Sequence, residues 1–176
     1  MKNPKLELKK IKLFKGHDGT GLDCDLYVNG VKVAHVFDSA HGGGNEYHAY
    51  GPDYKANNKI IQDLEEYAKT LPHIMSSFDD KAYPQDLDSI INDLLMVIEK
   101  EKGAKKMAKK FEDHIIAGVP NGDTYREWAF GKGKNKVKLS TLPTAKLQDT
   151  IYIIKRQLTA GEQILNTNLE ALGIRI

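Results

Sequence analysis

The first forty residues alternate apolar and polar positions with a period near two. Leu6, Leu8, Ile11, Leu13 and Phe14 are apolar with lysines between them, which predicts a strand over 6–14. The alternation slips at Lys9-Lys10, where a bulge would restore it. Gly16-His17-Asp18-Gly19-Thr20-Gly21 reads as a loop. Asn29-Gly30 then sits between two alternating runs, the pattern of a two-residue hairpin turn. Such a turn predicts Val28 opposite Val31, Leu26 opposite Val33, Cys24 opposite His35 and Leu22 opposite Phe37, all on one buried face. The other face would carry Asp23, Asp25, Tyr27, Lys32 and Ala34, with Val36 interrupting it.

Asp38-Ser39-Ala40-His41-Gly42-Gly43-Gly44-Asn45 breaks the pattern, because three consecutive glycines suit neither helix nor strand interior. Residues 46–50 read as a further strand closed by Gly51-Pro52. The period then changes. Ile60, Ile61, Leu64, Tyr67, Ala68 and Leu71 form a helical stripe, with Asn57 or Asn58 as cap and Pro72 as stop. A second helix is predicted from Pro84, with Leu87, Ile90, Ile91, Leu94, Leu95 and Ile98 as its stripe and Gly103 as its C-terminal cap. Asp86 and Asp88 near its start, and lysines at its end, suit the helix dipole. Strands over 111–119 and 124–130, a basic loop over 131–136, a third helix over 144–158 and an apolar tail complete the reading. The fold class is α+β: an antiparallel sheet containing the N-terminal hairpin, packed against about three helices, with residues 1–176 as a single domain.

Composition narrows the function classes. Of 176 residues, 40% are hydrophobic and 28% charged, which argues against disorder. The net charge of +2 does not imply nucleic-acid binding by itself, so that case rests on local clusters. One cysteine, Cys24, excludes an intrachain disulfide and fits a reducing compartment. The first residues, Met-Lys-Asn-Pro-Lys, lack the apolar region of a secretory signal, and the apolar run over 94–98 is too short to span a bilayer. The expectation is a cytoplasmic protein with no membrane partner.

Four groups of residues carry candidate chemistry. Backbone N–H groups of the glycine run can cradle an anion, which marks His41, Gly42, Gly43, Gly44 and Asn45 as a site for a phosphate-bearing ligand. The run is neither a P-loop nor a dinucleotide fingerprint. His17, Asp38, His41 and His48 are an alternative metal-ligand set, although no spacing matches a known metal motif and no cofactor is implied. Cys24 with His35 has the residue types of a nucleophile–base pair, but facing the core. Lysines cluster twice, at Lys100, Lys102, Lys105, Lys106, Lys109 and Lys110, and at Lys132, Lys134, Lys136 and Lys138. Trp128 and Tyr125 lie near the second cluster, a combination found in single-strand binders.

Two stretches carry a resemblance. The first runs from Phe14-Lys15-Gly16-His17-Asp18-Gly19 through Asp25-Leu26-Tyr27-Val28-Asn29-Gly30-Val31-Lys32-Val33-Ala34 to Ala40-His41-Gly42-Gly43. The second is Gly161-Glu162-Gln163-Ile164-Leu165-Asn166-Thr167-Asn168-Leu169, ending at Leu172-Gly173-Ile174. Together they resemble a family of small uncharacterised proteins of bacteriophages and mobile elements. The resemblance implies a setting, an accessory protein in a bacterial host that meets host or defence components, and no catalytic residues. The leading expectation is therefore binding: a nucleotide signal or nucleic acid held near 41–45, countering a host defence. The alternatives are a small metal-dependent nucleotide hydrolase and a protein-only inhibitor of a host protein; a host defence protein is a candidate partner.

Overall fold

The computed structural model describes residues 3–76, 79–132 and 135–175. The fold is α+β, with an antiparallel four-stranded sheet at the N-terminus and three helices. Packing divides the chain into two compact units, Met1–Glu99 and Lys100–Ile176, each with its own core. Among the described residues no helix is long and apolar enough to cross a membrane.

In the first unit, β1 (Leu6–Lys15), β2 (Thr20–Val28), β3 (Val31–Asp38) and β4 (Glu46–Ala49) pair in sequence order. α1 (Tyr54–Ala68) follows, then a short ribbon of β5 (Ile74–Met75) and β6 (Ala82–Tyr83), then α2 (Leu87–Lys110), within which the two units divide. Leu22, Cys24, Leu26 and Val28 alternate into a core shared with Val33, Val36, Leu64, Leu87 and Ile91. The hairpin turn is as expected: Asn29 and Gly30 have φ of 51° and 84°, the pair of positive values a type I′ turn needs. The slip in β1 is also present, with Lys10 at φ 54° and the register shifting between Lys9 and Lys12.

The register beyond the turn needs correction. Val28 faces Val31 and Tyr27 faces Lys32, but a second bulge then puts Leu26 opposite Ala34. Cys24 therefore faces Val36, and His35 faces Asp25. A single extra residue on β3 moves everything beyond it to the opposite face. The gain is burial: Val36 is fully buried while His35 stays half-exposed. Burying a valine is worth about 1.5–3 kcal/mol, and an imidazole in an apolar core would need partners that are absent there.

Two helix ends also differ from expectation. α1 starts at Tyr54 with Asp53 at its N-cap, so Asn57 lies inside the helix and donates its Nδ2 to Tyr50 O at 2.8 Å. α2 starts at Leu87, where Asp86 Oδ1 accepts from Ser89 N at 2.7 Å and Ser89 Oγ at 2.6 Å. It runs through Gly103 to Lys110, so Gly103 is not a cap. The residues beyond it, Ala104 to Lys110, are strong helix formers that offset the roughly 1 kcal/mol a mid-helix glycine costs.

In the second unit, β7 (His114–Gly118) is the central strand between β8 (Tyr125–Ala129) and β11 (Gln163–Ile164). β9 (Gly131–Lys132) and β10 (Asn135–Lys136) pair within the basic segment. α3 (Thr144–Lys155) packs Leu147, Ile151 and Ile154 against Ile115 and Ala117. The tail returns as expected, burying Ile164, Leu169 and Ile174. Buried Asn166 anchors it: its Oδ1 accepts from Ile116 N at 2.7 Å and its Nδ2 donates to His114 O at 2.8 Å.

Candidate functional site

The glycine run is held by the protein's own groups. Asp38 Oδ1 accepts from Ala40 N at 2.8 Å, and Ala40 O accepts from Asp18 N at 2.9 Å. A Cβ on Gly16 would overlap Ala40 Cβ, so the β1–β2 loop and this loop fit closely. His41 is exposed, with Nδ1 2.9 Å from Ser39 O, and its ring stacks on His17 at 6.4 Å. His17 Nδ1 in turn sits 3.0 Å from Asp18 Oδ1.

The three glycines have three different surroundings. Gly42 has φ +83°, which favours glycine; Gly43 stands in open space; a Cβ on Gly44 would lie 2.5 Å from Asp88 Oδ2. Asp88, from the first turn of α2, accepts from Asn45 N at 3.1 Å, Asn45 Nδ2 at 3.0 Å and Tyr47 O–H at 2.6 Å. Burial and the Asp88 carboxylate push the Tyr47 hydroxyl far above its ordinary pKa, so it stays a donor. The end of the predicted anion cradle thus already holds an anion, the protein's own carboxylate. Gly44→Ala should therefore lower the stability of the chain to urea by about 1–3 kcal/mol, whereas Gly43→Ala should change it by under about 0.5 kcal/mol. Equal effects of the two would show that Asp88 does not fix the loop.

Beside the loop lies a cleft of ≈ 370 Å³. Leu13, Leu22, Leu95 and Met96 make its apolar wall, and Asp38, Asn45 and Glu99 its polar one. Among the described residues, Asn45 is the only predicted ligand-binding residue that lines it, and no lysine or arginine does. Carboxylates on its wall disfavour a phosphate there.

The metal alternative does not assemble. Among the described residues no three histidines, cysteines or carboxylates are grouped so that they could hold a metal ion. His48 stacks instead on His35, its partner across β3 and β4, at 6.3 Å, and lies 3.3 Å from Glu46 Oε2. Cys24 is buried opposite Val36 rather than His35, so the nucleophile–base pair does not form. Burial, with the charges of Asp25 and Asp23, pushes its thiol up to about 11.

Asp25 marks the outer face of the same sheet. It is buried, with Lys32 Nζ at 2.7 Å and Lys10 Nζ at 3.3 Å. Burial alone would raise its pKa, but the bonds from Lys32 and Lys10 outweigh that and lower it. A carboxyl with a folded pKa below its unfolded one adds stability above the unfolded value, and this is lost as pH falls through the folded value. Asp25→Asn should remove that contribution near neutral pH and flatten the acid limb of a stability–pH curve below about pH 4. An unchanged acid limb would remove Asp25 from the account.

The second unit holds a different kind of recess, of ≈ 210 Å³, lined by Lys106, Lys109, Lys110, Asp113, His114 and Lys136. The two lysine clusters of the sequence therefore meet there, one from the end of α2 and one from β10. Lys106 and Lys109 are exposed. Lys110 Nζ is held by Glu127 at 2.6 Å and the Tyr125 hydroxyl at 2.9 Å, which raise its pKa. His114 is buried, its Nδ1 bonded to Asp113 Oδ1 and its Nε2 3.3 Å from Lys136 Nζ. A carboxylate can only accept and an ammonium can only donate, so Nδ1 is the donor toward Asp113 and Nε2 the acceptor facing Lys136. Trp128 is half-buried against the core, with Arg126 5.6 Å above its ring, and is no open stacking platform. Lys138 lies 3.2 Å from Glu112. Lys134 and the side chain of Lys132 lie outside the described residues.

Charge separates the units. Residues 1–99 carry 11 lysines and arginines against 16 acids, a net −5; residues 100–176 carry 15 against 8, a net +7. The chain's +2 conceals this split. Sequence reasoning passed over Asp113 and His114, which read as ordinary positions near the start of a predicted strand. Comparison with protein-family models, with curated proteins and with solved structures finds no match to this chain.

Proposed function

We propose that the chain binds a phosphate-bearing ligand, single-stranded nucleic acid, at the lysine-lined recess of its second unit. The observation that carries this reading is the meeting of Lys106, Lys109, Lys110 and Lys136 around one recess in a unit of net charge +7, from 15 basic and 8 acidic residues. Lys106 and Lys109 are spaced three apart, exposed and on one face of α2, so they can follow a phosphate backbone, while Lys110 is held beside them by Glu127. Half-exposed Tyr125, with Lys110 Nζ 4.9 Å from its ring, offers a base an aromatic edge beside the charge. The cleft of the first unit supports this reading less well, because carboxylates line it. The phage-family resemblance adds a setting in which the bound molecule is a host's nucleic acid, held as part of countering a defence.

The test is fluorescence anisotropy with a labelled single-stranded 10-mer across a salt series. Three to four phosphate contacts give a slope of about −2 to −3 in log K against log salt. Binding indifferent to salt, or none at about 20 mM salt, would overturn the reading.

A further inference from the structure

We infer that the same recess is a metal-independent ribonucleolytic centre, in which His114 takes the proton of a ribose 2′-hydroxyl. The inference rests on the proposed nucleic-acid binding and adds a reaction to it. Three observations carry it. His114 is the buried histidine among the described residues, yet it lines a solvent-reaching recess. Asp113 holds its Nδ1, so Nε2 presents a lone pair. Lys136 Nζ sits 3.3 Å from that lone pair, with Lys106 and Lys109 on the same recess. An imidazole oriented by a carboxylate and surrounded by ammonium groups is the equipment of general acid–base chemistry on a phosphodiester. The ≈ 210 Å³ space suits a ribose and its phosphate rather than a base as well.

The step balances without metal or oxidant. A phosphate entering the recess draws the Lys136 ammonium onto its oxygen and frees Nε2. The 2′-hydroxyl gives its proton to Nε2 as its oxygen bonds to phosphorus. The P–O5′ bond breaks, and the leaving O5′ takes a proton from Lys136. Lys106 and Lys109 offset the charge that builds on the non-bridging oxygens. The products are a 2′,3′-cyclic phosphate and a 5′-hydroxyl. His114 then holds one proton too many and Lys136 one too few. Transfer of a proton from imidazolium to amine, directly or through solvent, restores both. Asp113 is a positioning residue: it keeps the proton on Nδ1.

The experiment incubates the full chain with 5′-fluorescein single-stranded RNA in EDTA and resolves the products. The expected result is cleavage that leaves cyclic phosphate ends, with DNA and 2′-O-methyl RNA of the same sequence bound and left intact. His114→Gln and Lys136→Gln should each slow cleavage about 100-fold. Lys136→Gln should weaken binding only about 5-fold, one phosphate contact's worth. Lys136 is exposed, so that variant remains informative if His114→Gln fails to fold. RNA bound but left intact overturns this inference and leaves the binding reading standing; RNA not bound overturns both. Cleavage undiminished in a folded variant, or of 2′-O-methyl RNA, also overturns it.

Discussion

Changing Lys106, Lys109 and Lys136 together to glutamine should weaken binding of a single-stranded oligonucleotide about 100-fold at 0.1 M salt and hardly at all at 1 M. The figure follows from counterion release. Each phosphate contact with a single strand contributes about 0.7 log units per tenfold change in salt, so three contacts contribute about two. The three side chains are exposed at their ends of α2 and β10, and none is part of either core. The urea midpoint of the triple variant should stay where it is, which separates lost binding from lost folding. A control with three lysines of the first unit changed, Lys55, Lys69 and Lys81, removes the same total charge and should keep the affinity within about twofold. If the control weakens binding as much as the triple variant, the recess is not the site and only net charge matters.

Val36→Asp should cost about 4 kcal/mol or more in urea unfolding, whereas His35→Gln should cost under about 1 kcal/mol. Val36 is fully buried opposite Cys24, and a carboxylate there would have no partner. His35 is half-exposed, with Asp25 Oδ1 at 3.7 Å and Asp23 Oδ1 at 4.0 Å from its ring nitrogens, weak contacts near water. An unbulged hairpin would reverse the order, with His35 in the core and Val36 in solvent. The pair of variants therefore measures the second bulge directly.

That bulge shows how far the sequence reaches. The Asn29-Gly30 turn, the alternation on β2 and the slip at Lys9-Lys10 are local signals, set by φ preferences and a period of two, and each is present in the structure. The second bulge had a signal too: Val36 interrupting the polar face. It could be read only by weighing burial of Val36 against burial of His35. Gly103 misled for the same reason in reverse. Its local preference is to end a helix, and the helix formers after it carry α2 to Lys110.

The candidate sites divide along a similar line. The residues that attract phosphate were visible as two lysine clusters, because charge is a property of composition. Their meeting was not, since Lys136 reaches His114 across 22 positions of sequence. The glycine run was legible as a special backbone, but not its occupant. Asp88 lies 43 positions from Asn45 and looked like a dipole-matched residue at a helix start. The division into an acidic and a basic unit had no linker to announce it, because it falls inside a continuous helix. By itself, then, the sequence determined the N-terminal strands, the hairpin turn, the helical stripes and the α+β class, all governed by φ preference and periodicity over a few residues; the two-residue strands β5, β6, β9, β10 and β11 carry too few positions for a period to show. Tertiary structure alone decided the β2–β3 register beyond the bulge, the carboxylate in the glycine loop and the joining of two lysine clusters at His114. Those depend on burial and charge pairing between residues far apart in the chain, which no local pattern encodes.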